Sequence, residues 1–172
     1  CLEALYQDGS TTNNSDRDCQ ITSLMAYGFL RKNDMENALR YAQYALRQEP
    51  DNATIHLICL FAAFRLDDAR FPVFVHHAKD RIGQSNESAQ PSNSFMPWNV
   101  FINGIVAWHA QDLSKAMRLF EQCVLEGRMS PWRSFLLECL IELAKCTHDP
   151  CAQLSYQEQL TDLLRIQMMS VL

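Results

Sequence analysis

The feature that most constrains this 172-residue chain is a pattern of two helices joined by a polar turn, which occurs twice. The second copy begins at Val100, 78 residues after the first begins at Thr22. Each copy has a small residue, Ala38 or Ala116, sixteen positions after its start. A helix pair of this size cannot bury its apolar face alone, so the pattern predicts stacked pairs that share one core. Stacked pairs present a continuous surface, which indicates binding more than catalysis.

Composition indicates a helical protein. Hydrophobic residues make up 48% of the chain, which is enough to build a core at this length. Five glycines, six prolines and few alternating apolar stretches argue against a sheet protein. No apolar run reaches the roughly 18 residues that a membrane span needs. We therefore predict a soluble, all-α protein without a membrane span.

Charge and cysteine usage narrow the class of partner and the compartment. The net charge is -5, and Lys and Arg are scattered along the chain without forming a run. A surface that follows phosphates needs clustered positive charge, so nucleic acid is a poor partner for this segment. The seven cysteines are an odd number and fall mostly at apolar helical positions. This usage favours a reducing compartment and predicts a cytoplasmic protein.

Polar turns and prolines predict eight full helices, arranged as four pairs in a single domain over 1–172. Asn33-Asp34 and Asp112 mark turns inside the two clear copies, and Asp149-Pro150 combines a capping residue with a proline in the first helical turn. Residues 1–8 are typical of the end of a helix. The predicted pairs cover about residues 19–50, 53–82, 97–127 and 131–169, and a flexible insertion covers 83–96.

The two copies resemble the tetratricopeptide repeat, whose period is about 34 residues. The residues that match its signature are Met25, Ala26, Phe29, Ala38 and Pro50 in the first copy, and Gly104, Ala116 and Phe120 in the second. The resemblance covers residues 19–52 and 97–130. It implies antiparallel helix pairs stacked as a right-handed superhelix of about four pairs, in which the second repeat is degenerate.

The resemblance also implies a site, because the first helix of each pair lines the concave side of such a superhelix. The implied partner-binding residues are Tyr27, Leu30, Arg31, Leu57, Phe61, Phe64, Arg65, Trp98, Phe101, Ile105 and Trp108. An apolar trough with basic residues at its edge is suited to an amphipathic helix or an extended segment with acidic flanks. The alternative is that the same side chains form the core, covered by the superhelix, the C-terminal helix or a second copy of the chain.

Other chemistry is disfavoured. Cys146, His148 and Cys151 place three soft ligands around one turn, but zinc needs a fourth ligand and the spacing is not that of a zinc ribbon or finger. No Ser or Cys nucleophile has an accompanying base at a recognisable spacing, and the five glycines are isolated. We therefore predict no enzyme activity, no cofactor and no metal.

The leading functional interpretation is an interaction module that binds a peptide or helix of a partner protein, or a second copy of itself, through its apolar concave face. One alternative is the C-terminal sensing or oligomerising domain of a bacterial transcription regulator, with a DNA-binding domain before Cys1. Another is a chaperone that shields translocator segments in type III secretion. If Cys1 is a processed, lipid-bearing terminus, the protein is instead a periplasmic lipoprotein.

Overall fold

The structure is a computed structural model that describes residues 14–88, 98–126 and 132–169. These ranges form eight α-helices joined by turns and contain no β-strand. The helices are α1 (Asn14–Arg31), α2 (Met35–Gln48), α3 (Ala53–Arg65), α4 (Phe71–Ser88), α5 (Trp98–His109), α6 (Leu113–Glu126), α7 (Arg133–Cys146) and α8 (Pro150–Met169). The prediction of an all-α protein is therefore confirmed for the described ranges.

The chain divides into two compact units, Cys1–Phe74 and Val75–Leu172. In the first unit α1 packs on α2, α2 packs on α3, and α1 also contacts α3. In the second unit α5 packs on α6, α6 on α7, and α7 on α8. The helices of the predicted pairs α1–α2, α5–α6 and α7–α8 therefore pack side by side. The right-handed superhelix and the single domain over 1–172 stay predictions.

Two helices extend beyond their predicted ends. Helix α1 begins at Asn14, five residues before the predicted start, and α4 continues to Ser88, through the first six residues of the predicted flexible insertion. Elongation of a formed helix is favourable, and the segment 83–88 contains no proline to stop it. The predicted start of α1 at about 19 is therefore corrected to Asn14, and the predicted end of α4 at about 82 is corrected to Ser88. The rest of the predicted insertion, 89–96, and the predicted helix end over 1–8 lie outside the described residues.

The turns inside the four helix pairs share one backbone geometry. Each contains a residue with left-handed φ, between 51° and 62°, followed by an aspartate whose N–H donates to the carbonyl oxygen five residues earlier at 2.9–3.0 Å. The four turns are Asn33-Asp34, Asp67-Asp68, Gln111-Asp112 and His148-Asp149. This hydrogen bond is that of the Schellman motif, which satisfies a carbonyl at the end of the first helix.

The shared turns define equivalent positions along the chain. Counted from Asn33, the left-handed residues follow 34, 78 and 115 positions later, at Asp67, Gln111 and His148. A residue of α1 is therefore equivalent to the residues at those distances in α3, α5 and α7. The first spacing equals the period of about 34 residues that the resemblance implies.

Three of the turn aspartates also cap the following helix; a helix start was predicted from the sequence for Asp112 and Asp149, but not for Asp34, which was predicted only to end the preceding helix. Asp34 accepts the N–H of Asn37 at 3.2 Å, and Asp112 and Asp149 accept from the residue three positions later at 3.1 Å and 3.0 Å. Asp68 differs, because it accepts both the backbone N–H of Arg70 at 2.8 Å and its guanidinium at 2.6 Å. Helix α4 consequently starts later, at Phe71.

The carboxyl group of Asp68 is expected to titrate at unusually low pH. Hydrogen bonds from the side chain and backbone of Arg70 lower the pKa of Asp68 to about 2, against an ordinary value of about 4. Because the folded state holds the lower pKa, this stabilisation is complete above about pH 4 and is lost as pH falls towards 2. An NMR titration of the Asp68 carboxyl carbon measures the pKa directly.

The same titration in Arg70→Gln is expected to give a midpoint closer to the ordinary value, because the side chain of Arg70 is the largest cause of the shift. Arg165→Gln is the control, since Arg165 pairs with Asp162 at 3.5 Å on another helix. A midpoint near 4 in the unsubstituted chain contradicts the Asp68–Arg70 interaction.

Candidate functional site

The predicted partner-binding residues of the first unit lie on α1 and α3, and they differ in exposure. Leu30, Leu57 and Phe61 are at most 3% exposed, so they belong to the core between the helices. Tyr27, Arg31, Phe64 and Arg65 are half-buried. The second group is the more accessible of the two.

The half-buried residues lie on α1 and α3, two helices that contact each other. Short connections reverse the chain between α1 and α2 and between α2 and α3, so α1 and α3 run in the same direction. Arg31 and Arg65 are the last residues of these helices and occupy equivalent positions. The two arginines therefore lie at the same end of these two helices. We call the four half-buried residues Tyr27, Arg31, Phe64 and Arg65 the α1/α3 face.

The ring of Phe64 packs on two buried aromatic rings. Its ring lies 5.8 Å from that of Phe61 in an edge-to-face arrangement and 6.2 Å from that of Phe71, which is 5% exposed. Aromatic pairs at these separations stabilise each other and limit ring motion. The buried rings of Phe61 and Phe71 therefore hold the half-buried ring of Phe64 in position.

In the second unit most of the predicted residues are core. Phe101 and Ile105 are fully buried and Trp108 is 6% exposed, whereas Trp98 is half-buried. Phe101 contacts the ring of Phe120 at 5.7 Å and the ring of Trp132 at 6.2 Å. Trp108 also contacts Phe120, and Trp98 contacts Trp132 edge-to-face at 6.0 Å. These rings form a connected aromatic cluster in which Trp98 is the most accessible member.

Trp132, which joins this cluster, was not among the residues predicted from the sequence. Trp132 is 4% exposed and contacts Trp98, Phe101 and Phe135. It lies immediately before α7, outside the helical periodicity from which core residues are predicted. A large aromatic residue next to a helix start was the available signal.

The thiols divide into buried and exposed groups. Cys59, Cys123 and Cys139 are buried, and burial raises the pKa of Cys59 and of Cys123 to about 12. These two thiols stay protonated at neutral pH and act as small core side chains. Cys146 and Cys151, two of the three possible zinc ligands around the last interhelical turn, are exposed. Across the described ranges, no three His, Cys, Asp or Glu residues are grouped so that they can hold a metal ion.

Comparisons with known proteins do not assign the chain. No protein-family model, no curated protein and no solved structure matches it. The resemblance to the tetratricopeptide repeat therefore stays a prediction. In the described part of the chain, no helix combines the length and the apolar character required to cross a membrane.

Proposed function

We propose that the chain is a helical-repeat interaction module that binds a helix or an extended segment of a partner protein on the α1/α3 face. The observation that carries this proposal is the equivalent placement of Arg31 and Arg65 at the ends of two neighbouring helices, beside the half-buried rings of Tyr27 and Phe64. Such a face combines apolar contact area with two groups that recognise carboxylates.

Burial decides which of the expected residues contact the partner. Phe61 is 3% exposed and packs beneath the ring of Phe64, so it serves the proposed site as a rigid base, whereas Phe101 and Trp108, at most 6% exposed, belong to the core of the second unit. Tyr27 and Phe64 provide the apolar contact, and the two arginines orient the segment through acidic side chains. The proposed ligand is therefore a segment in which apolar residues are flanked by Asp or Glu.

A displayed peptide library selected on the purified chain tests the proposal. Enriched peptides are expected to combine apolar residues with Asp or Glu. Their affinity is expected to fall at least tenfold in Arg31→Glu/Arg65→Glu, because a hydrogen bond to a charged group contributes about 1.5–3 kcal/mol and about 1.4 kcal/mol corresponds to a factor of ten. Fluorescence anisotropy of labelled peptides measures the loss, and circular dichroism checks that the helices persist.

Arg47→Glu/Arg118→Glu is the matched control, because Arg47 and Arg118 are exposed and lie on second helices. It has the same change in net charge and is expected to keep the affinity of the unsubstituted chain. Equal losses in the two double variants mean that net charge, and not the α1/α3 face, governs binding. Selection of peptides without acidic residues also contradicts the proposal.

A further inference from the structure

Phe71 is buried at a position that is more exposed in the other three helix pairs. Its exposed fraction is 5%. Counted from the left-handed residue of each turn, Phe71 is equivalent to Asn37, Lys115 and Ala152. Asn37 and Ala152 are half-buried, and Lys115 is exposed. Of the four equivalent residues, Phe71 alone is aromatic and belongs to the core.

The hydrogen bonds of the turn between α3 and α4 account for the different start of α4. In the other three pairs the N–H of the equivalent residue donates to the carboxylate of the turn aspartate at 3.0–3.2 Å. In the second pair Arg70 binds the carboxylate of Asp68 through its own N–H and its guanidinium. The N–H of Phe71 donates instead to the backbone carbonyl of Asp68 at 2.8 Å. Phe71 therefore becomes the first residue of α4.

The ring of Phe71 contacts Phe64, a residue of the α1/α3 face. The two ring centroids lie 6.2 Å apart, and the centroid of Phe61 lies 5.8 Å from that of Phe64. The equivalents of Phe64 in α1 and α5 are Leu30 and Trp108, which are at most 6% exposed, whereas Phe64 is half-buried. Close packing on two buried rings restricts the rotamers of a side chain. Phe64 therefore combines accessible apolar area with a restricted orientation.

We propose that Phe71 determines the specificity of the α1/α3 face by holding the ring of Phe64 in one orientation. This role rests on the proposed function. Phe71 is buried, so it is a positioning residue that acts through Phe64 and not by direct contact with the partner. Surfaces that repack accept many partners, whereas a restricted surface distinguishes side chains by their shape. The α1/α3 face therefore discriminates among the apolar residues of a bound segment.

The selectivity of the chain for the apolar residue of a bound peptide tests this role. A peptide enriched from the displayed library is compared with variants in which its apolar residue is replaced by other aliphatic and aromatic residues. Fluorescence anisotropy gives the Kd of each peptide, and the ratio of the largest to the smallest Kd measures the selectivity. Phe71→Leu keeps an apolar side chain but removes the ring. It is expected to lower this ratio by about threefold or more, the size of a typical contribution from an aromatic pair.

Two further variants separate positioning from a general effect on the fold. Phe29→Leu is the matched control, because Phe29 stacks on Tyr41 of α2 at 5.2 Å and lies outside the α1/α3 face. It is expected to keep the selectivity of the unsubstituted chain. In the background of Phe64→Ala, Phe71→Leu is expected to leave the selectivity unchanged, because the residue through which it acts is absent. Equal changes with and without Phe64 overturn the proposal.

The outcomes distinguish failure of this role from failure of the proposed function. A library without any binder contradicts both. Binders that lose affinity in Arg31→Glu/Arg65→Glu but keep their selectivity in Phe71→Leu support the proposed function and overturn the role of Phe71. NMR of the chain with labelled phenylalanine adds a measurement without peptide. The ring of Phe64 is expected to flip faster in Phe71→Leu than in Phe29→Leu, and equal flip rates overturn the proposal.

Discussion

Replacing Phe101 by Ala is expected to lower the free energy of unfolding of the second unit by about 3–5 kcal/mol. Phe101 is fully buried and contacts two other aromatic rings, of Phe120 and Trp132, which also belong to the core. Its removal takes apolar area out of the core and leaves a cavity that the connected rings fill only in part. Because small domains have only about 5–15 kcal/mol of stability, a measurable fraction of the variant is expected to be unfolded.

Urea unfolding followed by tryptophan fluorescence is a suitable measurement, because all three tryptophans, Trp98, Trp108 and Trp132, lie in the second unit. Val100→Ala is the control within the same helix, since Val100 is only half-buried and its truncation removes fewer atoms. A change below about 0.5 kcal/mol for Phe101→Ala, which is typical of surface positions, means that Phe101 does not belong to the core.

Adding a single methyl group at Gly104 is expected to destabilise the same unit by about 1–3 kcal/mol. A Cβ at this position lies 2.5 Å from Cε1 and 2.8 Å from Cδ1 of Phe120, which is itself fully buried and contacts the rings of Phe101 and Trp108. The strain outweighs the gain of about 1 kcal/mol that Ala normally brings over Gly inside a helix. Urea unfolding of Gly104→Ala by tryptophan fluorescence measures the balance.

Gly28→Ala is the matched control, because Gly28 lies inside α1 and no atom of the described residues outside the helix's own backbone is within 4 Å of its added Cβ. This variant is expected to stabilise the first unit by about 0.5–1 kcal/mol through the loss of chain entropy in the unfolded state. Unfolding followed by circular dichroism reports it. Equal effects of the two substitutions contradict the close approach of α5 and α6 at Gly104.

The difference between the two glycines shows what the sequence reveals about packing. Gly104 was identified as a repeat position from its spacing, and its equivalent in α1 is Ala26, which is fully buried. The sequence did not reveal why the second copy needs the smaller residue. The reason is Phe120, whose equivalent in α2 is Ala42. In the α5–α6 contact the larger Phe120 is compensated by the smaller Gly104, whereas the α1–α2 contact has alanine at both positions. This compensation between residues on two helices is visible only in three dimensions.

The helices were predictable because their signals are local. Capping aspartates such as Asp34, Asp112 and Asp149 and the proline at the start of α8 mark helix boundaries through hydrogen bonds that span only a few residues. The end of α4 was not predictable in this way, since polar residues without proline are compatible with either a loop or a helix.

The candidate site was predictable only in outline. Residues on the first helices were grouped by periodicity, but periodicity does not distinguish a core residue from a residue that lines a groove. Phe61 and Phe64 lie about one turn apart on α3 and both are aromatic, yet only Phe61 is buried, at 3% exposure. That difference depends on neighbouring helices such as α1 and α2, whose contacts a single helix does not encode.

The aspartate turns have a consequence for engineering. Two pairs with different interiors, α1–α2 and α5–α6, are closed by the same backbone hydrogen bond, at Asp34 and at Asp112. Helix pairs that share one turn geometry can be exchanged for each other, provided that the surfaces through which each pair contacts its neighbours are transferred with it. Synthetic arrays can therefore be built by joining complete helix pairs. The connection between the first two pairs, over 49–52, is a suitable first junction.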